Sequence, residues 1–377
     1  MACPRPNFVN ESRHKKNRQI LSMISSPQHK LAKYLNEVLL PVSKKYSKYT
    51  ITDSFAFAKM IRGLESANTY MASFDVSSLF TNVPLMETIN ICVDAVQEAS
   101  CSSLSRESLV ELLQCATSCT EFSFNDLMYR QIDGVAMGSP LGPTLANTFI
   151  GFLEQKFYKD NDEPLVYCRY VDDIFVIFRT KEECEKSFAA FNALHSAIKF
   201  TIEHEVEGKL PFLDVLVERN KGKFLTSLYR KKTFTGQYVN FASHCSRKRK
   251  ISLIKTLCHR AIAICSPERL HQELDTIVDV LVGNGYPEPL IKKTIRFHRQ
   301  RLAEPKQFGP EKCTLPIKLP YLGTASARLE NDLRRVTNNC FGAIEPRVIF
   351  TSTPIFSPAG KDRIPLMKTS MVVYHYK

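Results

Sequence analysis

Two adjacent carboxylates, Asp172 and Asp173, stand between two apolar runs, and no other feature constrains the fold of this 377-residue chain so tightly. The flanking segments, Leu165-Val166-Tyr167-Cys168 and Ile174-Phe175-Val176-Ile177-Phe178, are rich in β-branched and aromatic residues. That composition predicts strand, tight turn, strand. Side chains alternate between faces along a strand, so neighbouring aspartates share one small volume only near a turn. Carboxylates crowded beside apolar strands repel one another and lose hydration, and divalent cations relieve both costs. A third carboxylate, Asp75, follows another strand-like run, Met71-Ala72-Ser73-Phe74. Three aspartates on neighbouring strand ends suit a two-metal site for in-line phosphoryl transfer. Taken alone, an Asp-Asp pair is better explained as a solvated turn, so the rest of the chain must decide.

Charge narrows the field. A content of 44% hydrophobic and 24% charged residues is ordinary for a globular chain, but a net charge of +13 is not. Residues 221–260 contain 11 Lys or Arg and no Asp or Glu, interleaved with Phe224, Tyr229, Phe234, Tyr238 and Phe241. Such a block suits a polyanion, nucleic acid first. The 12 cysteines show neither a Cys-x-x-Cys pair nor zinc-ligand spacing. Reduced thiols in an intracellular protein are therefore expected rather than a disulfide framework. No signal peptide is visible and no apolar run approaches the length of a bilayer span, so no membrane partner is expected.

Periodicity predicts a helix over 28–40 stopped by Pro41, a capped helix over 53–60, a strand into Asp75, and helices over 85–98 and 104–116. A hairpin follows at 122–129, turning at Asn125-Asp126, and a Gly/Pro turn at 134–143 enters a helix over 144–157. After the Asp172 hairpin come a helix at 182–196, strands near 199–206 and 211–229, and helices at 247–265, 267–282 and 288–302. Beyond Lys306, prolines break any long element; one helix fits 326–336, and 371–376 reads as a strand. The chain has no internal repeat.

That order of elements resembles the palm of a reverse transcriptase. Phe74-Asp75-Val76-Ser77-Ser78-Leu79-Phe80-Thr81-Asn82-Val83-Pro84 resembles its motif A, Gly134-Val135-Ala136-Met137-Gly138-Ser139-Pro140-Leu141-Gly142-Pro143 its motif B, and Tyr170-Val171-Asp172-Asp173 its motif C. Arg18-Gln19-Ile20-Leu21-Ser22 looks like the fingers motif that contacts the incoming triphosphate, with Gln19 where the family usually has proline. Leu210-Pro211-Phe212-Leu213-Asp214 and Tyr229-Arg230-Lys231-Lys232-Thr233 resemble, more narrowly, the reverse transcriptases of Penelope-like retroelements, which are similar to telomerase reverse transcriptase. The resemblance runs from about Arg18 to the C-terminus. It implies an α+β right-hand polymerase fold: partial fingers over 1–60, a palm with an antiparallel sheet over 61–215, a helical basic thumb over 216–305, and a Pro-rich tail over 306–377 leading to an absent GIY-YIG endonuclease.

The resemblance also implies roles. Asp75, Asp172 and Asp173 would hold two Mg²⁺ ions, with Mn²⁺ as a substitute, Asp173 having the weaker direct part. Arg18, Phe80, Met137 and Gly138 would bind the dNTP, Phe80 as an aromatic gate against the ribose 2′-hydroxyl; the competing reading of Phe80 is a core phenylalanine. Gly134, Ser139 and Pro140 would approach template and nascent pair, although the same residues also serve as turn punctuation. Arg230, Lys231, Lys232, Arg247 and Lys248 would grip template and primer, largely through phosphates. Lys199 reads better as a surface lysine than as a proton donor, and His244 as structural. The implied function is RNA-directed DNA synthesis by a retroelement enzyme on an RNA template and DNA primer, acting in the nucleus. The alternative is a catalytically silent nucleic-acid-binding remnant; a second, an RNA-dependent RNA polymerase, shares the palm and metal aspartates but is disfavoured by Phe80 and the flanking motifs. The chain begins at the second fingers motif, and no Tyr-Ile-Gly follows Val372-Val373-Tyr374, so a truncated element copy is an expectation too.

Overall fold

The computed structural model describes residues 23, 26–118, 121–124, 127–131, 133–304, 313–341 and 344–351. Arg18, the expected turn at Asn125-Asp126 and the expected strand at 371–376 lie outside the described residues. The first half of the chain forms α1 (Pro27–Lys45), α2 (Ser54–Arg62), β1 (Tyr70–Val76), α3 (Leu79–Asn82), α4 (Leu85–Glu98), α5 (Arg106–Thr117), β2 (Glu121–Phe124), β3 (Leu127–Arg130), α6 (Gly142–Asp160), β4 (Val166–Tyr170) and β5 (Asp173–Phe178). There follow α7 (Lys181–Ala193), β6 (Phe200–His204), β7 (Lys209–Phe212), β8 (Val215–Asn220), β9 (Lys223–Leu228), α8 (Arg247–Ile264), α9 (Pro267–Gly283), α10 (Glu288–Ala303), β10 (Cys313–Pro320), α11 (Thr324–Cys340) and β11 (Ile344–Thr351).

Contacts divide the chain into two units. Among the described residues, one holds those up to Asp53 together with Ser66–Phe212; the other holds Ser54–Glu65 and those from Leu213 onward. The second unit thus takes α2, which the sequence assigns to the fingers, and its second segment begins at Leu213, three residues before the expected thumb boundary at 216. Arg62 on α2 shows why. Its guanidinium donates to the Ala263 carbonyl at 2.7 Å and the Cys265 carbonyl at 3.0 Å, satisfying the C-terminal end of α8.

In the first unit, four antiparallel strands lie in the order β4-β5-β1-β6. Alternation sends Ala72, Phe74 and Val76 of β1, with Ile174, Val176 and Phe178 of β5, into a core shared with α1, α4, α6 and α7. Met71, Ser73 and Asp75 face the other way. The sequence stops α1 at Pro41, yet the helix runs on to Lys45 with that proline inside it. An interior proline costs about 3 kcal/mol. Leu39 and Val42, buried on either side of it, offset that at roughly 1.5–3 kcal/mol each.

The second unit contains the β8–β9 hairpin and three helices, α8 to α10, packed through Ile254, Leu257, Ala261, Leu274, Ile277, Leu281 and Ile291. The segment read from sequence as a Pro-rich tail forms a parallel pair, β10 and β11, bridged by α11. Among the described residues, its prolines, Pro316, Pro320 and Pro346, lie within or at the end of these strands. Each strand of a two-stranded ladder has one side without a partner, where the missing proline N–H costs no ladder bond.

Candidate active site

Asp75 and Asp173 are direct cross-strand partners in the β1–β5 ladder. On an antiparallel pair such residues share a face, with Cβ atoms about 4.5–5.5 Å apart. The same transverse row continues to Tyr170 on β4 and Thr201 on β6. Asp172 stands one residue away, in the two-residue loop between Tyr170 and Asp173. Its carbonyl accepts the Val76 amide at 3.1 Å, which ties the loop to the end of β1. All three aspartates are half-buried.

The loop holds its shape against a local cost. Val171 has φ +57°, the left-handed region, in the first loop position, where a hairpin of this length favours glycine. Such a conformation costs about 1–3 kcal/mol and persists only when its surroundings enforce it. Arg169, on the core face of β4, supplies part of that enforcement: its Nη1 donates to the Val171 carbonyl at 3.1 Å. Its Nε and Nη2 donate to Glu154 on α6 at 2.6 and 3.1 Å, and neither side chain is exposed. Burial pulls the guanidinium pKa down, but the charge and hydrogen bonds of Glu154 raise it further, so Arg169 stays charged. Burial first, then Glu154, pushes the Tyr167 hydroxyl well up, and that hydroxyl donates to Glu154 at 2.8 Å.

Motif B lies against motif A. The Val135 amide donates to the Phe80 carbonyl at 2.6 Å, and a Cβ on Gly134 (φ +73°) would sit 2.6 Å from the Thr81 carbonyl oxygen and 2.7 Å from that of Phe80. Only glycine fits there. The Phe80 ring is half-buried against the core of the first unit and lies 3.7 Å from where a Gly142 Cβ would be. Met137 and Pro140 are half-buried and Gly138 is exposed, while Ser139 is buried and its Oγ accepts the Leu141 amide at 3.3 Å. Lys199 is exposed, its Nζ donating to the Asn192 carbonyl at 3.3 Å. His244 is exposed and its ring stands 5.1 Å from that of Tyr321.

In the second unit, the expected nucleic-acid contacts differ in availability. Lys231, Lys232 and Arg247 are exposed. Arg230 is committed through both Nη atoms to the carboxylate of Glu273, and Lys248 meets Glu330 at 2.5 Å.

Sequence reasoning missed Arg169 and Glu154. The signals were there. Alternation puts Arg169 on the core face of its strand with Tyr167, and Glu154 sits on α6 between buried Ile150 and Phe157. Nothing local pairs the two.

The donor set near the loop is all carboxylate, which suits a hard divalent cation. Among the described residues, no group of three His, Cys, Asp or Glu side chains is drawn close enough to hold a metal ion.

Residues 9–205, just over half of the chain, match the family described as reverse transcriptase (RNA-dependent DNA polymerase). The chain belongs to the reverse transcriptase family. Its fold is the right-hand polymerase fold, with the palm sheet described above, and divalent metal use is general to such polymerases. Residues 237–296 match a second family, the animal helix-turn-helix domain, across α8, α9 and the first part of α10. No curated protein matches the chain.

Among solved structures, telomerase from Candida albicans, in complex with a TWJ fragment of telomeric RNA, is similar at TM-score 0.49 and 11% identity, over 74% of this chain and 48% of that one. Telomerase from Candida tropicalis, in the corresponding complex, gives 0.44 and 14%, again over 74% and 48%. The RNA-dependent RNA polymerase of bacteriophage phi12 gives 0.43 and 12%, over 68% and 43%. The chain thus spans about half the length of the telomerase chains it resembles. Among the described residues, no helix is long and apolar enough to cross a membrane.

Proposed function

We propose that this chain is an RNA-directed DNA polymerase, the reverse transcriptase of a Penelope-like retroelement, transferring nucleotides from dNTPs to a primer 3′-hydroxyl. The observation that carries the reading is the Asp75–Asp173 pair at one end of the palm sheet, with Asp172 in the adjoining loop. Two bound Mg²⁺ ions would lower the pKa of the primer hydroxyl and neutralise charge on the leaving pyrophosphate. Asp75, Asp172 and Asp173 would supply the protein oxygens for them. Phe80, beside the motif-B glycines, would exclude a ribose 2′-hydroxyl and so select dNTPs. Lys231, Lys232 and Arg247 would contact phosphates of template and primer. The Penelope-like assignment rests on the segments 210–214 and 229–233.

Primer extension by the purified chain on matched RNA and DNA templates, with Mg²⁺ and dNTPs, tests this. Extension on RNA is expected, and Asp172→Asn should lower it by about a thousandfold or more, roughly 4 kcal/mol of barrier. No extension together with tight, salt-sensitive duplex binding would mark a silent nucleic-acid-binding remnant. Absence of both would sink the reading. Phe80→Ala should relax selection of dNTP over rNTP, and unchanged selection removes Phe80 from the gate.

A further inference from the structure

The five N–H donors of Arg169 have five acceptors. Nε and Nη2 use both oxygens of Glu154, Nη1 uses Asn147 Oδ1 at 2.8 Å and the Val171 carbonyl at 3.1 Å, and Nη2 also reaches Thr50 Oγ1 at 3.4 Å. Its backbone is held as well, donating to the Tyr49 carbonyl at 2.8 Å and accepting the Ile51 amide at 2.9 Å. Arg169 is among the largest fully buried side chains of the molecule.

Burying an ion pair is a poor route to stability. Desolvation costs several kcal/mol per ion, and well-packed apolar residues of similar volume commonly serve as well. An apolar pair, however, cannot put a donor under a carbonyl. The carbonyl that Arg169 holds belongs to Val171, the left-handed residue just before Asp172. On its other side, the loop is held by the Val76 amide, one residue after Asp75. The loop bearing Asp172 is therefore clamped from the core by Arg169 and from the strand by β1.

We propose that Arg169, seated on Glu154, is a positioning residue that sets the Val171-Asp172 loop for divalent-cation and nucleotide binding. The proposal rests on the polymerase reading above. Neither side chain touches substrate; the pair acts through the loop backbone.

The test uses the full chain with Arg169→Met/Glu154→Leu, an apolar replacement that keeps the core filled. Melting temperature, primer–template affinity, kcat and KM for dTTP are measured. Mn²⁺ binding to the chain with primer–template is followed separately by electron paramagnetic resonance. The expected result is a folded chain with near-native duplex affinity and a melting temperature lowered because the Tyr167 hydroxyl loses its Glu154 acceptor. Mn²⁺ affinity and kcat should each fall about 10- to 100-fold, the usual effect of losing such a supporting partner. Native Mn²⁺ affinity and kcat overturn the proposal, whether or not melting falls.

Should the double variant not fold, Arg169→Lys decides by the same readings. Lysine keeps a charge on Glu154, but its single ammonium lacks the fork that reaches Val171 at the same time. A wild-type chain without extension and without Asp172-dependent Mn²⁺ binding brings down the polymerase reading, and the proposal with it. Wild-type activity with unaffected variants brings down the proposal alone.

Discussion

In the palm unit the Arg169–Glu154 pair is wholly buried. In the helical unit Arg230, Lys248, Arg260 and Arg269 meet Glu273, Glu330, Asp214 and Glu218 while keeping part of their surface in water. The contrast follows from what each unit has to hold. On the proposed reading, a loop whose carboxylates would bind metal needs a fixed geometry, which a buried and fully satisfied network supplies. On the same reading, a surface that would meet a polyanion needs its cations in water, where pairs are weak and exchangeable. The helical unit also shows that a count of basic residues overstates the charge on offer. Of the 11 Lys and Arg in 221–260, at least four are engaged: Arg230, Lys248 and Arg260 with carboxylates, and Lys250 with the carbonyls of Phe241 and Ser243.

The comparison breaks most directly at the charges. Arg169→Ala leaves Glu154 buried and unpaired and should cost about 3–5 kcal/mol in denaturant unfolding. Arg269→Ala, whose partner Glu218 keeps contact with water, should cost about 1 kcal/mol or less. Equal costs would mean that the two units do not differ in this respect.

Glycines sharpen the same contrast in packing. A Cβ on Gly151, in α6, would lie 1.9 Å from the Tyr46 carbonyl oxygen, so Gly151→Ala should cost about 3 kcal/mol by forcing two helices apart. At Gly283, the last residue of α9, a Cβ meets nothing within 4 Å. Gly283→Ala should raise stability by about 0.4–1 kcal/mol. Thermal melting of both variants checks the pair.

The smallest effect separates engaged from available cations. Lys231→Ala should leave melting unchanged and flatten the salt dependence of duplex binding by about one unit of slope. Arg230→Ala should instead destabilise by about 1–3 kcal/mol through orphaned Glu273, with little change of slope. Duplex titrations at several salt concentrations, alongside unfolding curves, distinguish the two. Equal slopes for wild type and Lys231→Ala would remove Lys231 from the interface.

Much of the fold was legible because its signals are local. Period-2 runs around Asp75 and Asp172 mark β1, β4 and β5, and period-3.6 runs mark α4, α5 and α8 to α10 within a few residues. Motif order pointed to the palm. Two features escaped the sequence where tertiary packing overrode local preference: Pro41 lies inside α1, and the Pro-rich segment adds two strands to the helix expected at 326–336.

The sequence by itself determined that Asp75, Asp172 and Asp173 sit at strand ends, because residue type and alternation act within a few positions. Only the tertiary structure decided that Asp173 rather than Asp172 stands opposite Asp75, that Glu154 lies under Arg169, and that Glu273 engages Arg230. Those are contacts between separate elements. They depend on ladder register and helix packing, and a one-residue slip would turn each strand's side chains to the opposite face.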